Sequence, residues 1–466
     1  MNTYIKILAV AVGIGINGGC KVSKDIPVPQ SVVPDHFRGD LSSDSSSIAD
    51  QTVSEIFREK ELINLIDTAL IRNYDMQIAF ENIESARQII KQAKMEYIPQ
   101  LNLQVTGSTS RPSKNGFNTA QLLNTSHIED YNAGLNLSWE ADIWGKIRSQ
   151  KKAAVAGYFQ TEEAKKAIQT QLIASVAQGY YSLMTLDAQI AIAERNLALT
   201  DSTLKMIKLQ FDAGQVSSLA IQQAKAQQLI AAQLIPRLQQ EITIQENALS
   251  LLAGHLPGII KRSASLEYTL VNESTPAGFP SAMINKRPDV KNAELSLSIA
   301  NAKLGLAKAN LYPSLTITAS GGVNSLKSSN WFNIPASLFG MVAGGLTQPL
   351  LQKRQLKTQY ELAKIDREKA VIQFRYSVLN AVTEVSDELV KIEKLKQQYA
   401  ISKEKVNTLQ LAVKNANLLF ASGMANYLEV ITAQSNSLQS ELELATIKKE
   451  QLNARVELYR TLGGGL

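Results

Sequence analysis

From Val371 to Phe420 an apolar or aromatic residue returns at every seventh position (Val371, Val378, Val385, Ile392, Tyr399, Val406, Val413, Phe420), with no Gly or Pro between them. Strict heptads keep one seam facing a neighbour only if the helices wrap around each other in a left-handed supercoil. The same seam runs earlier through Val176, Leu183, Ile190, Leu197, Leu204 and Phe211. About 65 residues of helix, rising about 1.5 Å each, make a rod about 100 Å long. The prolines agree, with none between Pro112 and Pro236 and none after Pro349. A chain of 466 residues read at about 100–200 residues per domain would hold about three compact domains. Such runs without turns exclude that organisation. Lys391, Glu393, Lys394, Lys396, Lys403, Glu404 and Lys405 belong on a solvated face of the rod.

The seam appears twice because the chain is one unit written twice. Arg72 to Leu103 aligns without gaps on Lys286 to Ile317, matching Asp75 with Asp289, Ala86 with Ala300, Pro99 with Pro313 and Leu101 with Leu315 at an offset of 214. Farther on, Phe211-Asp-Ala-Gly214 matches Phe420-Ala-Ser-Gly423 at an offset of 209. The first copy is therefore five residues longer between Pro99 and Leu137, and that interval should hold a loop in each copy. Gly214 and Gly423 each follow a long helix, at the left-handed position where glycine closes a helix. Pro349 is expected to open the second long helix, as Pro99 and Pro313 mark equivalent crossings from helix to strand.

Between the rods the period changes from seven to two. Segments near residues 101–109, 131–139 and 315–323 alternate polar with apolar, and 338–346 occupies the matching fourth place. Each has about nine residues, the length of a tilted strand that crosses a bilayer. Tyr97, Tyr131, Trp139, Trp144, Tyr312, Trp331, Phe332 and Phe339 gather near their ends, as aromatics do at a membrane interface. Two soluble hairpins are the alternative, but they would leave open edges uncovered. Four strands cannot close a lipid-facing barrel, which needs about eight or more. Closure calls for several copies of the chain.

Residues 1–19 read as a signal peptide, with Lys6, an apolar run from Ile7 to Ile16, and Asn17-Gly18-Gly19 before Cys20. Cys20 stands where bacterial lipoprotein signals place the lipidated residue, although Asn17 departs from the usual Leu. An ordinary signal with an incidental Cys is the plainer alternative. Residues 20–54 are rich in Ser, Pro and Asp and read as a tether. The first repeat then covers 55–254, an inter-repeat linker 255–284 and the second repeat 285–466. His36, His127 and His255 lie far apart, and no Ser/His/Asp grouping or phosphate-cradling glycine loop occurs. Neither an enzyme, a metal site nor a cofactor is expected. A net charge of +6 with no long block of one sign points to no nucleic-acid partner.

Longer words give the chain a likeness. Leu137-Ser-Trp-Glu-Ala-Asp-Ile-Trp-Gly-Lys-Ile-Arg148, Lys286-Arg-Pro-Asp-Val290, Ala307-Lys-Ala-Asn-Leu-Tyr-Pro-Ser-Leu315, Gly345-Leu-Thr-Gln-Pro-Leu350 and Tyr459-Arg-Thr-Leu-Gly-Gly-Gly465 span nearly the whole mature chain. It resembles the TolC-like outer membrane factor family, in its lipoprotein branch serving RND-type tripartite efflux systems. The resemblance implies a mostly α fold with a membrane β-barrel. Long coiled-coil helices would form a periplasmic α-barrel, and a homotrimer would pool four strands per protomer into a twelve-stranded outer membrane barrel. It also implies a periplasmic adaptor docking at the tips around Gly214 and Gly423, an inner-membrane RND-type pump, and contact with outer membrane lipid. An acidic residue facing the pore just after the second tip is Glu429 here. A further acidic position of the family is Thr432, and the first copy carries Ala220. The Tyr and Arg that tie the gate shut in some members are Phe420 and Ala425, so a gate closed by that polar network is not expected. The function implied is that of a passive exit duct of an efflux pump. An exit duct of a type I protein secretion system shares the fold, and a non-conducting envelope coiled-coil lipoprotein shares the signal and the heptads.

Overall fold

A computed structural model of the chain describes residues 34–38, 47–113, 127–262, 266 and 276–464. The signal peptide and Cys20 lie outside the described residues. Chain order runs α1 (Lys60–Arg72), α2 (Tyr74–Met95), β1 (Gln100–Ser110), β2 (Ile128–Ala141), α3 (Lys146–Asp212) and α4 (Ser218–Leu252). The second copy follows as α5 (Pro280–Lys286), α6 (Pro288–Ala309), β3 (Ser314–Ser325), β4 (Leu338–Thr347), α7 (Gln355–Ala421) and α8 (Tyr427–Thr461).

The duplication is kept in the order of the elements. Three pairs of sister helices have equal lengths: 22 residues in α2 and α6, 67 in α3 and α7, 35 in α4 and α8. The five extra residues of the first copy fall between its strands, as expected, in a connection spanning 111–127 against 326–337 in the second.

The chain divides into two compact units, one of them containing Ile83–Gln160 and Glu294–Gln373. This unit holds the sheet, a four-stranded antiparallel meander in the order β1-β2-β3-β4. Asp142 starts α3 by accepting from the backbone N–H groups of Ile147 and Arg148 at 2.9 and 3.0 Å, which satisfies donors that a helix N-terminus leaves orphaned. In the second copy the long helix opens at Gln355, six residues later than the expected Pro349. Arg354 there takes φ +65°, as its sister Gly145 takes +78°. The turn itself, not the proline, sets the helix start.

The second unit contains Gln30–Asn82, Thr161–Ala293 and Phe374–Leu466. Its main core packs Leu62, Ile66, Val176, Leu183, Leu249, Val378, Val385 and Leu452, all buried. Of the second heptad seam, Val371, Val378, Val385, Val406, Val413 and Phe420 are buried, and Ile392 and Tyr399 are half-buried. Part of the expected tether also belongs to this core. Phe37 and Ile48 are buried in it, and the Ile48 N–H donates to the Pro276 carbonyl at 2.9 Å. The linker likewise ends early, because α5 begins at Pro280 and not after residue 284. Pro236 lies inside α4, where its sister on α8 is Ala445.

Helix ends in this unit repeat one device. Gly214, Gly254, Gly423 and Gly463 have φ between +67° and +81° and close α3, α4, α7 and α8. In each, the glycine N–H reaches back three residues and the next N–H reaches back five, the pattern of a Schellman motif. Where α4 and α8 end, a polar side chain arrives from the other end of the same copy. Asn73 Nδ2 donates to the Leu252 carbonyl at 3.0 Å, and Arg287 Nη1 donates to the sister Thr461 carbonyl at 2.8 Å. Asn73 Oδ1 also accepts from the N–H groups of Asp75 and Met76 and so starts α2. The buried Arg287 further pairs with Asp289 at 2.6 Å and Glu384 at 2.7 Å. A second arginine, Arg262, straps the linker onto α3 and α4 through Asp187 at 2.5 Å and Glu246 at 2.6 Å.

Candidate functional site

The strand register sorts side chains onto two chemically different faces. One face carries the rows Leu101, Leu137, Ala319, Val342 and Val105, Ala133, Val323, Leu338 across the four strands. The other carries Asn102, Asn136, Ser320 and, farther along, Thr106, Asn132 and Asn324. Leu101, Leu103, Val105, Val342 and Leu346 are exposed, with no covering layer among the described residues. An apolar patch of this kind requires a lipid or protein cover. On the polar face Asn136 Nδ2 donates to Gln104 Oε1 at 3.1 Å. β4 departs from the alternation by placing Phe339 and the exposed Met341 there. The Phe339 ring lies 3.1 Å from where a Cβ on Gly134 would stand, so it fills the space above a glycine and does not cap a strand end.

Aromatic side chains bound the sheet at both ends. Where strands meet helices, Trp139 Nε1 donates to the Tyr97 carbonyl at 3.0 Å, Trp144 Nε1 donates to the Pro313 carbonyl at 2.6 Å, and Trp144 stacks on Tyr312 with centroids 4.9 Å apart. At the opposite end Tyr131, Trp331 and Phe332 form a chain with centroids 5.4 and 5.0 Å apart. Aromatic rings, with the indole N–H groups of Trp139 and Trp144 satisfied by backbone carbonyls, suit the two borders of a bilayer. Among the described residues no helix is long and apolar enough to cross a membrane.

The helix tips form a separate cluster. Leu204, Ile207, Ala220, Ala224, Phe420 and Val430 are buried together at the turns that follow α3 and α7. The two tips share backbone geometry and differ in packing. Phe420 is 2% exposed inside the cluster, whereas its sister Phe211 is 41% exposed. Gly214 and Gly423 sit in open space, so they shape the turns without touching a neighbour. Glu429 is exposed at the third position of α8, and its local partner is Asn426. The Asn426 side chain accepts from the Glu429 N–H at 3.1 Å, and its Nδ2 donates to Glu429 Oε1 at 3.0 Å. This reciprocal cap fixes where the carboxylate leaves the helix. Thr432 is exposed beside it, Ala425 is half-buried, and Ala220, the sister of Glu429, is fully buried.

Only a closed barrel carries strands through lipid with every backbone group paired. A sheet largely apolar on one face, largely polar on the other and banded by aromatics, joined to two 67-residue helices, defines a membrane channel subunit of the outer membrane. The model of the outer membrane efflux protein family matches residues 65–255 and 279–464, and the chain belongs to that family. Over 463 residues it is 27% identical to the cation efflux system protein CusC of Escherichia coli K12, covering 99% of each. To the solvent efflux pump outer membrane protein SrpC of Pseudomonas putida it is 29% identical over 465 residues, 96% of each. Among solved structures, CusC superposes with a TM-score of 0.85 at 27% identity, over 96% of this chain and 100% of that one. The open state of the Neisseria gonorrhoeae MtrE outer membrane channel gives 0.85 at 26%, over 96% and 99%.

Proposed function

We propose that the chain works as a homotrimeric exit duct, pooling its strands into a twelve-stranded barrel and receiving solutes from an inner-membrane RND-type pump through a periplasmic adaptor. The four-stranded sheet with one bare apolar face carries this reading. Four strands are half of what the smallest barrels use, so copies must combine. Solutes cross without covalent change, driven by the pump. The relatives compared above are named for cations and for solvents, so substrate choice rests with the pump.

Three further roles belong to this reading. Cys20 is the lipidation site, where acyl chains add to the hold of the barrel on the membrane. The tips around Gly214 and Gly423 are the adaptor-docking surface, supported by their shared backbone geometry. Glu429 is the pore gate, where carboxylates from several copies approach one axis, repel each other and attract cations. Purification with native partners after mild cross-linking tests the assembly. Recovery of an RND-type pump and its adaptor is expected, and recovery of a protein-secretion transporter in their place refutes the efflux assignment. Mass determination of the mature N-terminus tests Cys20, since an unmodified cysteine excludes the anchor.

A further inference from the structure

One strand interrupts the polar face of the sheet. Where β1, β2 and β3 carry Asn102, Asn136 and Ser320, β4 carries Phe339, Met341 and Ala343, opposite Gly322, Ser320 and Thr318 of β3. Met341 is 60% exposed and Phe339 is half-buried. Apolar surface left in water forgoes the stabilisation that burial gives. A serine or threonine at either position would have continued the pattern of the neighbouring strands.

The register gives the Phe339 ring a floor of glycine. Phe339 shares a row with Gly322 on β3, Gly134 on β2 and Gln104 on β1. The end of its ring, Cζ, lies 3.1 Å from the point where a Cβ on Gly134 would stand, two strands from its own. Adjacent strands are about 4.8 Å apart, so a ring that reaches β2 must lie along the sheet and across Gly322. One side rests on the glycines and the other is left to solvent. Gly322 lets β2 and β3 close up beneath it, since a Cβ there would collide with the Ala133 carbonyl oxygen and the Gly134 Cα. Asn132 Oδ1 stands 3.5 Å from the same point above Gly134, which puts a carboxamide at the tip of the ring.

Covering a strand glycine with an aromatic from a nearby strand is a stabilising device in itself, and it accounts for where the ring lies. It accounts neither for the side of the ring left open nor for the bare Met341 next to it on the same face. We infer that Phe339 and Met341 form an apolar landing on the inner wall of the barrel, with the Asn132 carboxamide at its edge, and that it binds solutes joining a flat aromatic ring to an amine. The solute's ring lies against Phe339 and the adaptable Met341 side chain, and its ammonium donates to Asn132 Oδ1. This rests on the exit-duct reading proposed above, because it needs the polar face to line the lumen. Closing the barrel pairs the free edge of β4 and leaves this face open. The landing is shallow, so it slows such solutes along the wall and adds a mild preference to the choice the pump has made.

Photolabelling of the full-length chain in lipid nanodiscs tests the landing. The probe is 4-azidobenzylamine, an aryl azide that carries an ammonium group, and the labelled positions are read by mass spectrometry. Label is expected on Phe339 and Met341 at least fivefold above their lipid-facing neighbours Leu338 and Val342. Benzylamine should compete it away and butylamine should not. Phe339→Ser should lower labelling of β4 at least fivefold. Because that change also uncovers Gly134, Met341→Ser is the second variant; it leaves the glycine floor untouched and should lower labelling at least twofold. Asn132→Ala should weaken labelling by the amine while labelling by phenyl azide holds. Unchanged labelling in both serine variants, with conductance retained, reduces the ring to a cover for its glycines and overturns the landing while the duct reading stands. Label on Leu338 and Val342 in place of Phe339 and Met341 would reverse the two faces of the sheet and overturn the duct reading as well.

Discussion

The four helix-closing glycines give a test in which backbone conformation is held constant and packing varies. All four adopt φ between +67° and +81°, where an alanine pays about 1–2 kcal/mol for its Cβ. At Gly214 and Gly423 a Cβ meets nothing within 4 Å, so that conformational term is the whole cost. At Gly254 the Cβ would stand 2.5 Å from the Arg72 carbonyl oxygen, and at Gly463 3.0 Å from the carbonyl of Lys286, the sister of Arg72. Both obstacles are backbone, so relief requires moving the junction between two helices, which adds about 1–3 kcal/mol. Gly254→Ala should therefore cost about 2–5 kcal/mol and Gly214→Ala about 1–2. For a large membrane protein the practical readout is a rate, measured as loss of helical circular dichroism in denaturant. An excess of about 2 kcal/mol makes unfolding about 30-fold faster. Gly254→Ala unfolding no faster than Gly214→Ala would refute the close approach of the two helix ends.

Arg287→Met removes the donor to Thr461 and the partner of two carboxylates that are about half and a third exposed, and should cost about 2–3 kcal/mol, less than the loss of a fully buried pair; circular dichroism in denaturant checks it. Burial pushes the Asp289 carboxyl up, but the hydrogen bond and charge of Arg287 outweigh it and hold the pKa below the ordinary 3.8. With the folded value depressed, this stabilisation is full above the unfolded pKa and fades as pH falls through the folded value, so Asp289→Asn should flatten the stability profile below about pH 4; acid titration of the helical signal measures it. Asn426→Ala removes the cap of α8 and should cost about 1 kcal/mol, read as faster amide exchange in the first turn. Glu429→Ala should relieve cation block or alter selectivity in single-channel recordings, and unchanged conductance and block would remove the residue from the gate. Exchanging both tips for those of a non-cognate homologue should abolish adaptor pull-down.

Periodic and local features were legible in the chain itself. A seven-residue seam needs only one helix to declare itself, and the offsets of 214 and 209 anticipated equal sister helices and the unequal strand connections. Strand positions followed from alternation, and the two tip glycines from their place after the seam. What escaped depends on contacts between distant segments. The word Lys286-Arg-Pro-Asp-Val290 was visible, but the role of Arg287 rests on Glu384 and Thr461, 97 and 174 residues away. Residues 47–54 looked like tether because most of them are small or polar, while one residue, Ile48, carries the burial. Phe211 and Phe420 have the same place in the repeat and opposite exposure, a difference set by which sister helix lies alongside. Pro236 sits inside a helix that continues through it, because tertiary packing overrides a local penalty of about 3 kcal/mol.

The claim that the polar strand face lines an aqueous conduit and the apolar face meets lipid is tested most directly by cysteine accessibility along β1 during single-channel recording. Asn102→Cys and Gln104→Cys, treated with a charged, membrane-impermeant thiol reagent, are expected to lose current stepwise. Leu101→Cys and Leu103→Cys should hold their current under the same treatment. Block that alternates with a period of two is the result this architecture requires, and equal block on both faces, or block confined to the leucine positions, would contradict it.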